Sequence, residues 1–150
     1  MRQNRVYAGR LERLLAYLID TIILVVPAMY IASMLRGAAI VTPLCFLASL
    51  FYYMVFTASR WQATPGKRLL GIYVIRTDNR MLTLRDGAER FLAFILPSLP
   101  MYTSIIPPNL TPGVSLALSI AWFAPILYTD ERVGTHDRLC HTRVMIGKVG

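Results

Sequence analysis

The chain has 150 residues, 55% of them hydrophobic, with mean hydropathy +0.50 and a formal net charge of +8 from 16 Lys+Arg against 8 Asp+Glu. This length suits one domain, but a water-soluble domain of this size could not cover so much apolar surface. A soluble nucleic-acid binder needs basic stripes, not apolar runs near 20 residues, so a greasy and basic chain points to membrane spans joined by basic loops and to no nucleic-acid partner.

In chain order, a basic segment (1–13) leads into a first apolar run, residues 14–35, in which Asp20 is the charged residue among apolar neighbours. It carries that acid and lacks a small-x-small cleavage site, so it reads as a span rather than a signal peptide. Residues 38–58 form a second run with no charge. Both reach the ~20 residues that a spanning helix needs. The loop 59–90 opens with a turn at Thr64-Pro65-Gly66-Lys67. A short strand from Gly71 to Arg76, a turn at Asp78-Asn79 and a return strand from Met81 to Leu84 predict a small β-hairpin. Residues 85–90 begin the third helix, with Asp86 near its start. The remaining apolar runs are 91–106 and 114–128, separated by the breaker cluster Pro107-Pro108-Asn109-Leu110-Thr111-Pro112-Gly113. A helical hairpin fits them best, and a re-entrant pair is the alternative. The tail is 129–150. The expected fold class is an all-α membrane protein of one domain, with four transmembrane helices as two hairpins and a small cytoplasmic β-hairpin-like loop.

The charges orient this layout. Segments 1–13, 59–90 and 129–150 carry 4, 7 and 4 Lys+Arg, whereas the opposite turns carry Arg36 alone. Basic residues collect on the cytoplasmic side. Both termini and the long loop are therefore expected in the cytoplasm. Cys45 lies in an apolar run and Cys140 in the polar tail, which argues against a disulfide framework.

The halves echo each other. Glu12-Arg13-Leu14-Leu15-Ala16-Tyr17 opens one hairpin and Glu89-Arg90-Phe91-Leu92-Ala93-Phe94 the other. Thr64…Arg68-Leu69…Val74 is matched by Thr135…Arg138-Leu139…Val144. Two same-facing hairpins imply an axis along the membrane normal, while the shared need for Arg at cytoplasmic ends explains part of the likeness without a repeat. The echo breaks at Asp20, opposite Pro97.

Asp20 is the sharpest chemical signal, because a carboxylate near mid-span costs ~2.5–3.5 kcal/mol on insertion scales and needs a partner. Arg13 lies two turns back on the same face, ~10 Å away by helical rise, with Tyr17 between them. One reading makes Asp20 a carrier of a cation or proton, with Arg13 tuning it and Tyr17 relaying. The other makes it a packing device bonded to Tyr52, Tyr53 or a serine. Pro97 and Pro100 in the third helix, with Pro27 and Pro125, either kink packed helices or free carbonyls for an ion. The stripes Ser115/Ser119/Trp122 and Cys45/Ser49 with Tyr52 or Tyr53 read as helix–helix faces. His136, Asp137, Cys140 and His141 cluster in the tail, but on different helical faces and without a zinc-type spacing, so no metal site is expected. Lys67 and Arg68 are expected to meet anionic lipid headgroups. No nucleophile elbow, Walker loop or dinucleotide fingerprint occurs; no enzyme activity and no cofactor are expected.

The segment from Arg13 to Asp20, the loop Thr64-Pro65-Gly66-Lys67-Arg68-Leu69-Leu70-Gly71-Ile72-Tyr73-Val74, the stretch Leu82-Thr83-Leu84 with Arg90, and the tail Thr135-His136-Asp137-Arg138-Leu139…Thr142-Arg143-Val144 resemble the RDD family of small bacterial membrane proteins, named for one arginine and two aspartates. The resemblance spans nearly the whole chain and implies that Arg13, Asp20 and Asp137 are its functional positions, with Thr64, Pro65, Gly66, Lys67 and Gly71 as a structural loop motif. Cys140-His141 departs from the small residues usual there. The activity implied is membrane transport. The expected function is transport of a small ion or proton-coupled solute by a homo-oligomer, with a non-transporting module that organises or regulates a membrane protein partner as the alternative.

Overall fold

A computed structural model describes residues 7–35, 40–102, 106–129 and 133–147. The turn with Arg36, the end of the third expected span, and the tail's Arg132 and Lys148 lie outside the described residues.

Helix α1 (Arg10–Met34) has 25 residues, about 37 Å of rise against a hydrocarbon core of about 30 Å. It starts four residues before the apolar run, so Arg10 and Arg13 are helical. Helix α2 (Val41–Ala58) packs against α1. Helix α5 (Thr111–Phe123) continues into α6 (Pro125–Tyr128), the ladder being interrupted where Pro125 lacks a donor. Arg10–Met34, Val41–Ala58 and Thr111–Tyr128 are the described stretches long and apolar enough to cross a membrane. Their outward faces leave Val26, Met29, Phe51, Val55, Leu116 and Leu118 uncovered by protein, which is stable in lipid and not in water.

Residues 91–102, in the apolar run expected as a third span, are not one continuous α-helix. Helix α4 (Leu84–Ile95) begins in polar sequence, locked by a reciprocal cap in which the Thr83 amide donates to Asp86 at 2.7 Å and the Asp86 amide to the Thr83 hydroxyl at 3.3 Å. Burial alone would raise the Asp86 pKa, but the Thr83 donors and Arg76, 2.5 Å away, hold it below the usual carboxylate range. At Leu96 the chain tightens into a 3-10 helix through Tyr102. Pro97 and Pro100 remove two amide donors and break the α ladder. Gly87 lets α4 approach α2: a Cβ there would stand 2.7 Å from the Thr57 hydroxyl and 2.9 Å from the Met54 carbonyl. Tyr53 of α2 stacks on Phe91 at 5.4 Å and Phe94 at 6.2 Å.

The β-hairpin expected inside the loop does not form. The turn at Asp78-Asn79 is present, with the Asn79 amide donating to the Arg76 carbonyl at 3.0 Å, but residues 81–83 pair with no strand. Strand β1 (Ile72–Arg76) instead pairs antiparallel with β2 (Thr142–Ile146) in the tail, Val74 opposite Val144. Leu82 is held by both ends of the Gln62 amide. Ala8, Ala16, Ile72, Val74, Leu82 and Val144 form one buried cluster, so the sheet closes over the start of α1.

The Thr64–Lys67 turn continues into helix α3 (Pro65–Leu69), and the tail holds its counterpart, α7 (Thr135–Leu139). α3 and β1 recur as α7 and β2 after 70 residues. Both helices end on a left-handed residue, Gly71 at φ 65° and His141 at φ 50°. The connecting bonds match as well: Gly147 donates to the Gly71 carbonyl at 2.8 Å, and Thr77 to the His141 carbonyl at 2.9 Å. The echo is thus a repeated backbone unit, related by a local twofold through Val74 and Val144.

Candidate functional site

Two buried carboxylates organise the region where α1, α3, α4 and α7 meet. Asp20, 1% exposed, lies on the inner face of α1. Its Oδ1 accepts from the Tyr52 hydroxyl at 2.7 Å and the Gly66 amide at 2.8 Å, and its Oδ2 from the Thr64 hydroxyl at 2.5 Å. One side chain thereby ties α1 to α2 and α3. Gly66 is required by this approach, since a Cβ there would collide with the Ala16 carbonyl oxygen and stand 2.8 Å from Asp20 Oδ1. Of the packing partners weighed from sequence, the structure selects Tyr52.

Asp137, fully buried, is the third residue of α7, where its Oδ2 also receives the Gly134 amide at 3.3 Å. Arg13 donates to that oxygen at 2.9 Å. Arg90 pairs with Oδ1, and also reaches the Thr142 hydroxyl. Arg13 is therefore the partner of Asp137, where sequence reasoning had it tuning Asp20. Burial alone would raise the Asp137 pKa, but Arg90 first, then His136, Arg13 and Lys67, hold it well below the usual carboxylate range. His136 lies 3.3 Å from Asp137 and edge-on to Phe94 and Phe123 at 5.7 and 5.4 Å. Burial depresses its pKa; Asp137 opposes this, Arg90 and Lys67 add to it, and the result is about 4. At neutral pH the imidazole is uncharged, so its contact with Asp137 is not an ion pair.

Lys67 and Arg68, expected together at lipid headgroups, diverge. Arg68 covers the Trp61 ring at 4.2 Å on the exposed side. Lys67 turns inward and lines a half-open cavity of about 1020 Å³. Burial and then Arg90 lower its pKa, Asp137 and Asp20 pull the other way, Arg13 lowers it further, and it stands at about 7. Leu14, Phe91, Phe94, Ile120 and Leu127 supply much of the apolar wall, and Tyr17 also lines it while its ring meets Phe94 at 5.6 Å. The cavity separates α1 from α5 and α6; Arg10 bridges that gap by donating to the Leu127 carbonyl at 2.6 Å.

Of the residues singled out from sequence, Arg13, Asp137 and Lys67 meet in one cluster, with Asp20 beside it. Pro65 and Gly71 shape α3 and its exit. Arg90 was not recognised as a site residue, although the Glu12-Arg13 and Glu89-Arg90 echo was an available signal; Tyr52 was weighed as a packing partner of Asp20, and His136 only within the tail cluster. Among the described residues no group of three or more His, Cys, Asp or Glu could hold a metal ion.

A family model described as the RDD family matches residues 7–141. The chain is 29% identical over 164 residues to an uncharacterized protein, YxaI, of Bacillus subtilis (strain 168), covering 92% of this chain and 96% of that one. No solved structure matches it. With the arginine and two buried aspartates of the sequence pattern gathered around one junction and three apolar helices beside it, the chain is an integral membrane protein and belongs to the RDD family.

Proposed function

We propose that the protein moves a small ion, or a solute coupled to protons, across the bacterial cytoplasmic membrane, with four crossings, both termini in the cytoplasm, and the cavity as the path. The third crossing is the apolar half of α4 with the 3-10 helix that follows it. The observation that carries this reading is Lys67. Among the described residues its ammonium has no hydrogen bond or ion pair, it faces the cavity, and its depressed pKa lets it exchange a proton near neutrality. The carrier role first assigned to Asp20 passes to Lys67, because both Asp20 oxygens are already committed to donors from α2 and α3. A homo-oligomer would complete the wall of so thin a bundle.

Reconstitution with an internal pH dye tests this. Wild-type protein should dissipate an imposed gradient and Lys67→Met should not. Absence of flux under every imposed ion gradient overturns the proposal. A second reading, a non-transporting module that organises a partner complex, is favoured by the same saturation of Asp20, which then serves only to lock the bundle. A stoichiometric membrane partner in a mild-detergent pull-down, without flux, would select it.

A further inference from the structure

The charge census of the junction is unequal. Arg13, Arg90 and Lys67 face two carboxylates, Asp20 and Asp137. Both oxygens of Asp137 are occupied by arginines, and both of Asp20 by neutral donors. His136 is uncharged at neutral pH, and the other titratable side chains on the cavity wall are the phenols Tyr17, Tyr53 and Tyr128. One cation is left over, and it is Lys67. Outside the junction Arg76 pairs with Asp86 and Arg85 with Glu89, while Arg10, also on the cavity wall, donates to the backbone carbonyls of Ile126 and Leu127. A bare inorganic anion would neutralise Lys67 but leave a cavity of about 1020 Å³ with a mostly apolar wall unfilled. That volume lies at the upper end of sites for organic ligands.

We infer that the cavity holds a single-chain amphiphile with an anionic headgroup, the charge against Lys67 and the chain along the wall formed by Leu14, Phe91, Phe94, Ile120 and Leu127. This rests on the cavity being the ligand path, and it names the class of ligand. A desolvated ammonium binds such a headgroup more strongly than an exposed one, because the surroundings screen the pair less. Protonation of Lys67 is required, so affinity should be full below about pH 7 and decline above it.

The full chain in nonionic detergent, with bound lipid counted by native mass spectrometry, provides the test. Lysophosphatidylglycerol and lysophosphatidylcholine of equal chain length differ in net headgroup charge. The anionic lipid should bind at one per chain, at least about tenfold more tightly than the zwitterionic one, a clearly resolved difference. Lys67→Met should bring the two together and Lys67→Arg should keep them apart. Millimolar inorganic phosphate should not displace the lipid; if it does, the ligand is the anion alone and the amphiphile is wrong. Equal binding of both lipids, or a preference that survives Lys67→Met, overturns the inference. Should Lys67→Met fail to fold, the wild-type preference decides: it must be larger at pH 6 than at pH 9, and a flat profile is fatal. Selective binding without flux would remove the transport reading alone, whereas flux of an inorganic cation without lipid preference would remove this one alone.

Discussion

Residues 64–76 and 134–146 trace the same path: a short helix, a left-handed residue, then a strand that pairs with its own counterpart. Their side chains do opposite things. At the second helical position, Gly66 offers a bare amide to Asp20 of α1, while His136 fills the corresponding space with a ring packed on Phe94 and Phe123. At the third, Lys67 is a cation without a partner among the described residues, while Asp137 is a carboxylate held by two arginines. Arg13 and Arg90, which open the two halves, both turn to the second unit. A repeated backbone has thus been made asymmetric by charge: the acid of the second unit is held by two arginines, and the cation of the first faces the cavity.

The largest expected effect comes from the second unit. Asp137→Asn leaves Arg13 and Arg90 without a counter-charge and should destabilise by about 3–5 kcal/mol, read as loss of a monodisperse peak on heating in detergent. A wild-type peak would show that the junction is held elsewhere. Gly66→Ala should come next, because its methyl group meets the Ala16 backbone. A loss of about 2–4 kcal/mol is expected, whereas Gly71→Ala, with open space around it, carries only the left-handed strain. Asp20→Asn removes the charge but keeps the shape. A loss of about 1–3 kcal/mol is expected as the Tyr52, Thr64 and Gly66 donors meet a weaker acceptor, against a much smaller effect if the latch is unimportant.

The two units should also separate by pH. Asp137 has a depressed folded pKa, so its stabilisation is present above the unfolded value of about 4 and is lost as pH falls further. Melting temperature should drop in acid for the wild type, with a shallower drop in Asp137→Asn. Lys67 has a folded pKa of about 7 against an unfolded value near 10.4. The unfolded chain therefore takes up the proton first, and stability declines as pH falls from about 10 to about 7. Lys67→Met should flatten that slope; an unchanged slope would mean that the ammonium is not desolvated. The smallest effect is expected at His141. Replacing it by Gly, the residue at the matched position of the first unit, relieves a left-handed conformation and should change stability by about 1 kcal/mol or less.

Composition, run length and the lopsided placement of arginine were enough to establish a membrane chain and the apolar runs of α1, α2 and α5, because hydrophobic length and charge are local properties that lipid reads directly, and the motifs at residues 13–20, 64–74 and 135–144 carried the family. Asp20 was legible for the same reason: a carboxylate inside an apolar run is conspicuous wherever it points. The pairing of β1 with β2 was not. Local alternation permits a strand without choosing its partner, and the nearby return run looked as suitable as one 70 residues away. Nor could spacing reveal that Arg13 and Arg90 share Asp137, that Tyr52 and Gly66 close on Asp20, or that Lys67 turns inward while Arg68 turns out. Those choices were made in three dimensions, where one buried carboxylate can satisfy several donors from distant segments and a close-packed junction accommodates a single arrangement of them.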